Sequence, residues 1–133
     1  MKQKNIWVID DDPIYQIIIN KIIKKSNAFS SSSSFINGKE ALNALINSMH
    51  NNELLPDIIL LDINMPVMDG WEFIEEMQNI KSGINKQIIT YIVSSSIATE
   101  DKDNSRTFKD IVGYISKPVT AEDLISIVSS KSH

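Results

Sequence analysis

The 133-residue chain contains no cysteine. That excludes disulfides, zinc thiolates and thiol nucleophiles, and it fits a reducing compartment. No apolar run approaches the ~20 residues that a membrane-spanning helix needs. The lysines near the N-terminus lead only into Ile6-Trp7-Val8-Ile9, too short for the apolar region of a signal peptide, so a cytoplasmic protein is expected. Basic residues are outnumbered: 13 lysines and arginines against 17 acids leave a net charge of −4. No basic helix or patch stands out, so neither nucleic acid nor an acidic membrane is an expected partner. A glycine-rich phosphate loop after the first apolar run is also missing, and Asp10, Asp11 and Asp12 stand there instead.

What is present suits a single globular domain over residues 1–133, with no output domain expected. Apolar residues make up 42% and charged residues 23%, ordinary proportions for a folded core of this size. Short apolar runs at residues 6–9, 57–61, 87–93 and 113–116 do not alternate with polar residues, as expected of strands buried on both faces. Between them, apolar residues recur at helical spacing: Ile14, Ile17, Ile18 and Ile22; Ala41, Leu42, Leu45 and Met49; Phe73, Ile74, Met77 and Ile80; Leu124, Ile125 and Val128. Pro13 suits a first helical turn, and Thr120 with Asp123 resembles a capping box. Residues 99–109 are polar and weakly periodic and are assigned to a helix. The serine run at residues 30–34, flanked by Phe29 and Phe35, reads as an edge strand over residues 28–36 rather than a linker. A boundary there would leave too short a piece to fold. The sum is five βα units, which right-handed crossovers wind into a parallel sheet covered by helices on both faces.

In such a sheet, ligands bind beyond the carboxyl ends of the strands. The chemically capable residues fall there: the aspartates at 10–12 after the first strand, Asp62 after the third, Ser94 after the fourth and Lys117-Pro118 after the fifth. Crowded carboxylates repel and need a cation. Mg²⁺ is the natural one, since it takes oxygen ligands and retains exchangeable waters. A carboxylate beside it can attack phosphorus and form an acyl phosphate, a reaction that mainly needs positioning and charge neutralisation. Lys117 can supply charge and Ser94 a hydroxyl donor. Each piece alone has a plainer reading, as a solvated helix cap, a turn or a strand end. Their joint arrival on one edge is the informative feature.

Together these residues resemble the receiver domains of bacterial response regulators over nearly the whole chain. The most specific stretch is Pro56-Asp57-Ile58-Ile59-Leu60-Leu61-Asp62-Ile63-Asn64-Met65-Pro66-Val67-Met68-Asp69-Gly70, supported by Val8-Ile9-Asp10-Asp11-Asp12-Pro13 and Ser116-Lys117-Pro118. The resemblance implies a flavodoxin-like (βα)5 fold, doubly wound, with strand order 2-1-3-4-5. It implies Asp62 as phosphoacceptor. One Mg²⁺ would be held by Asp11, Asp62 and the Asn64 backbone carbonyl, with Asp10 acting through water. Ser94, Tyr114 and Lys117 are implied as the phosphoryl-binding and switch group, and Lys117-Pro118 as a cis peptide. The resemblance also implies that Asn64 and Ser96 flank the path of hydrolytic water. The implied partners are a sensor histidine kinase or histidine phosphotransfer protein and an unknown downstream protein. The implied chemistry is confined to the domain's own phosphorylation and dephosphorylation, so the chain is not expected to be an enzyme. The stretch Thr107-Phe108-Lys109-Asp110-Ile111-Val112 departs from the family pattern and bears on the partner surface, not the acidic site.

Three rivals stay open. A hydrolase of the aspartyl-phosphate type resembles a pattern with an aspartate where Asn64 stands. A flavin- or nucleotide-binding protein would want a different first loop. A receiver-like interaction module would never be phosphorylated. Trp71 is expected to pack at the start of the third helix, and His50 and His133 to lie on the surface.

Overall fold

The computed structural model describes residues 4–63, 65, 67–94 and 111–129. Five strands form one sheet: β1 (Lys4–Ile9), β2 (Phe29–Phe35), β3 (Ile58–Asp62), β4 (Ile89–Ser94) and β5 (Ile111–Ser116). Their order is β2-β1-β3-β4-β5 and every pair is parallel. Four α-helices lie among the described residues: α1 (Pro13–Ser26), α2 (Gly38–Ser48), α3 (Gly70–Ile80) and α4 (Ala121–Ser129). The helix expected over residues 99–109 falls outside the described residues. None of the described helices is long and apolar enough to cross a membrane.

Strand pleating sends alternate side chains to opposite faces, and the core divides accordingly. Trp7, Ile9, Ile59, Leu61 and Ile92 pack with Leu45, Phe73 and Ile74 of α2 and α3. Ile6, Val8, Ile58, Leu60 and Val93 pack with Ile19, Ile23, Leu124 and Ile127 of α1 and α4. This two-sided burial explains why β1, β3 and β4 read as unbroken apolar runs. The serine strand is the sheet edge, as expected. Its ends Phe29 and Phe35 are partly buried and the serines between them are exposed, with Phe35 packed 4.7 Å from Trp7 between ring centroids.

Two helix faces differ from expectation. On α1 the inward residues are Gln16, Ile19 and Ile23, whereas Ile14, Ile17 and Ile18 are exposed. On α4, Leu124 and Ile127 are buried and Ile125 is exposed. Caps follow the expected chemistry. Asp12 accepts from Ile14 N and Tyr15 N, with Pro13 in the first turn of α1. Thr120 and Asp123 exchange reciprocal bonds of 2.9 and 3.1 Å ahead of α4. His50 is exposed and Trp71 packs against the α2–α3 core, whereas His133 lies outside the described residues.

Among the described residues, Asn27 and Val67 are the non-glycine residues with positive φ, 58° and 71°. Asparagine tolerates that region after a helix. A β-branched residue does not, because its Cβ crowds the carbonyl at a cost of roughly 1–2 kcal/mol. Val67 is 75% exposed, so little burial offsets the strain. Val67→Gly is expected to raise the unfolding free energy by about 1 kcal/mol after the extra chain entropy of glycine is subtracted. A denaturant midpoint at or below the parent's would refute this.

Candidate functional site

The alternation that divides the core also sorts the polar residues at the strand ends. Followed to the strand end or one position beyond it, the parity of Ile6 and Val8 leads to Asp10, that of Ile58 and Leu60 to Asp62, and that of Val93 and Ile115 matches Lys117. All three belong to the α1–α4 face, and they meet there. Lys117 Nζ lies 2.7 Å from Asp10 Oδ2 and 3.9 Å from Asp62 Oδ2. Carboxylate oxygens of Asp10, Asp11 and Asp62 lie within 4.8 Å of one another. Ser94 shares parity with Ile92, which pairs with Tyr114, so Ser94 and Tyr114 approach the strand ends from the other face.

Local structure explains each placement. Asp12 takes up the helix cap, which leaves Asp10 and Asp11 free of that duty. Asp10 is 1% exposed. Its Oδ1 accepts from Asp12 N at 2.9 Å, and its own N–H donates to Phe35 O at 3.0 Å. Asp11 is exposed and open to solvent, and Asp62 is buried. The backbone after Asp62 is turned by the Gly70 N–H, which donates to Ile63 O at 2.9 Å. There α3 begins with a complete capping box between Asp69 and Glu72. Ser94 is buried, and its carbonyl accepts from Lys117 N at 3.0 Å, tying the β4 end to the lysine loop. The Lys117-Pro118 peptide is cis. Tyr114 is half-buried against the α2–α3 core. Asn64 and Ser96 lie outside the described residues.

Two neighbours escaped the sequence reading. Gln16 is buried, and its Nε2 sits 3.0 Å from Asp10 O and 3.1 Å from Phe35 O, stitching α1 to the ends of β1 and β2. Tyr15 lies under Lys117, whose Nζ is 4.4 Å from the ring centroid. Its hydroxyl is buried without a hydrogen-bond partner. Burial, and next the Asp10 and Asp62 carboxylates, push this phenol far above its ordinary range, so it stays neutral. Their position in the first turn after Asp12, facing the sheet end, was the available signal.

The donor set suits a hard divalent cation: three carboxylates, two of them buried, with one side open through Asp11. Lys117 alone does not balance three carboxylates, and a divalent cation would offset the remaining charge.

The family model of the response regulator receiver domain matches residues 6–129. The chain belongs to that family. This receiver domain is similar to the probable C4-dicarboxylate response regulator DctR of Halalkalibacterium halodurans, 29% identical over 124 residues that cover 90% of this chain and 47% of the relative. It is also similar to the chemotaxis protein CheY of Halobacterium salinarum, 25% identical over 126 residues that cover 95% and 94% of the two chains. A two-component response regulator from Cytophaga hutchinsonii has the same fold with a TM-score of 0.85 at 29% identity, covering 97% of this chain and 96% of that one. The chain spans only 23% to 47% of the length of three of the curated relatives it matches. This receiver domain is a phosphorylation-dependent switch of two-component signalling, and Asp10, Asp11 and Asp62 form its acidic site.

Proposed function

We propose that Asp62 accepts a phosphoryl group from a phosphohistidine on a histidine kinase or phosphotransfer protein, and that the phosphorylated state changes this domain's contacts with a downstream protein. The observation that carries the reading is the buried Asp62 carboxylate, gathered with Asp10 and Asp11 within 4.8 Å and facing the Lys117 ammonium at 3.9 Å. One carboxylate oxygen of Asp62 bonds to phosphorus, and the phosphorus–nitrogen bond to the donor imidazole breaks. The product is an acyl phosphate on Asp62 and a free histidine.

Asp11, Asp62 and the Asn64 carbonyl would hold Mg²⁺, with Asp10 reaching it through water. When bound, the ion neutralises phosphoryl oxygens during transfer. Lys117 moves its charge from Asp10 toward the new phosphoryl oxygens. Ser94 donates its hydroxyl to them, and Tyr114 turns into the space vacated on its face of the sheet. A partner that prefers this arrangement then shifts the population toward it. Asn64 and Ser96 are the positions whose identities would set how fast water ends the state, and the chemistry extends no further than the domain's own phosphoryl group. A protein donor is favoured by the exposed Ile14, Ile17 and Ile18, which place an apolar patch on the helix that starts at the acidic edge.

The test is intact mass after incubation with Mg²⁺ and a small-molecule phosphodonor, beside Asp62→Asn. The parent is expected to gain one phosphoryl group, and the variant none. Equal labelling of both would remove Asp62 from the role. No labelling of the folded, Mg²⁺-binding parent, by the small donor or by a cognate kinase, would favour an interaction module that works without phosphorylation.

A further inference from the structure

We propose that Tyr15 is a positioning residue for Lys117, its ring face holding the ammonium between the carboxylates so that the lysine is in place when phosphoryl oxygens arrive. The inference rests on the reading of Asp62 as phosphoacceptor.

Lysine carries a compact charge on a flexible four-carbon stem, and nothing in that stem fixes where the charge sits. Here the ammonium has three neighbours. Asp10 and Asp62 draw it, at 2.7 and 3.9 Å. The Tyr15 ring lies beneath it, 4.4 Å from the centroid. The negative face of an aromatic ring attracts a cation within about 6 Å. That attraction is spread over the face rather than fixed to one atom, so it tolerates a small shift of the ammonium.

Tyr15 is itself held by its backbone and by packing. It is in the first turn of α1, where the Asp12 side chain accepts from its backbone N–H at 3.2 Å. Its ring packs against the α1–α4 core. The hydroxyl has no partner, so it does not fix the ring's orientation. Packing does, and packing leaves the face toward Lys117.

The experiment compares Tyr15→Phe, Tyr15→Leu and Tyr15→Met with the parent. Methionine fills the space with a flexible chain should leucine fail to fold. The first readout is the upfield ring-current shift of the Lys117 ε-methylene protons by NMR, without phosphodonor. The second is the rate of phosphorylation by acetyl phosphate at saturating Mg²⁺. Tyr15→Phe is expected to keep the ring-current shift and restore the rate to within about twofold of the parent. The leucine and methionine variants are expected to lose the shift and react about fivefold more slowly, the scale of one partly exposed cation–π contact. A parental rate in a folded leucine or methionine variant would overturn the proposal and leave Asp62 as acceptor. A phenylalanine variant as slow as these would overturn it too, moving the effect to the hydroxyl. A parent that never labels would defeat the reading of Asp62 and this inference together, whereas a labelled parent keeps the two failures apart.

Discussion

Lys117→Met is expected to lower the unfolding free energy in chelator by about 3 kcal/mol, because it leaves the Asp10 carboxylate buried without its cation. The lysine's Nζ lies 2.7 Å from Asp10 Oδ2, and the Asp10 side chain is 2% exposed. Its other oxygen keeps the Asp12 N–H at 2.9 Å, but a neutral donor does not replace an ammonium. The variant also leaves Asp10, Asp11 and Asp62 within 4.8 Å of one another without the ammonium that neighbours Asp10 and Asp62 in the parent. Removing one partner of a buried pair costs about 3–5 kcal/mol. The lower end applies because the Lys117 side chain is 22% exposed and water can enter in its place. For a domain of this length the loss corresponds to a fall in Tm of about 10 °C. Millimolar Mg²⁺ should recover part of it by binding the folded state, and should do so more in the variant than in the parent. Thermal melts with chelator and with Mg²⁺ decide the matter. Equal stability of parent and variant in chelator would show that the pair contributes nothing net.

Gly70→Ala is expected to damage both stability and chemistry. A Cβ at this position would stand 2.8 Å from the Asp62 carbonyl oxygen and 2.8 Å from Ile63 Cα. Both are backbone atoms with no rotamer to move out of the way. The start of α3 or the end of β3 must shift, and overpacking of this kind costs about 1–3 kcal/mol. A shift at the β3 end moves the reacting carboxylate itself. Misplacement on the order of 1 Å can cost about a hundredfold in rate, so phosphorylation by acetyl phosphate should slow at least tenfold. Gly83→Ala is the control, because an added methyl there meets only the mobile end of the Met49 side chain. If the two alanine variants lose stability and rate equally, close backbone approach at Gly70 is not the cause.

The acidic edge was legible because its residues are tied to strand ends, and a parallel sheet brings strand ends together whatever the intervening sequence. The face of α1 was not. Ile17-Ile18-Ile19 and Ile22-Ile23 place isoleucine nearly all round the helix, so periodicity cannot choose a side. Gln16 decides it by turning inward to bond Asp10 O and Phe35 O. A glutamine on a core face is the last residue that an apolar pattern would select. The same ambiguity misled the reading of α4, where Leu124 and Ile127 take the core and adjacent Ile125 does not. The pairing of Tyr15 with Lys117 was hidden for another reason. Its partner Lys117 is remote in sequence and meets it only through the packing of α1 beside β5's exit loop. The serines of the edge strand carry no apolar signal, and the strand was reached from its flanking Phe29 and Phe35 and from the count of units. Its place in the sheet rests on the backbone ladder to β1.

That strand also opens more readily than the sheet's central strands. In a parallel edge strand only alternate amide hydrogens point to the neighbour, and the serines of β2 add almost no buried side-chain area to hold the rest in place. Its local opening therefore takes less free energy than that of β1, β3 or β4. The last residue of the strand, Phe35, accepts through its carbonyl from both the Asp10 N–H and the Gln16 amide. Each fraying of this edge strand thus releases, for a moment, a backbone bond of Asp10 and one of the bonds that hold Gln16 beside it.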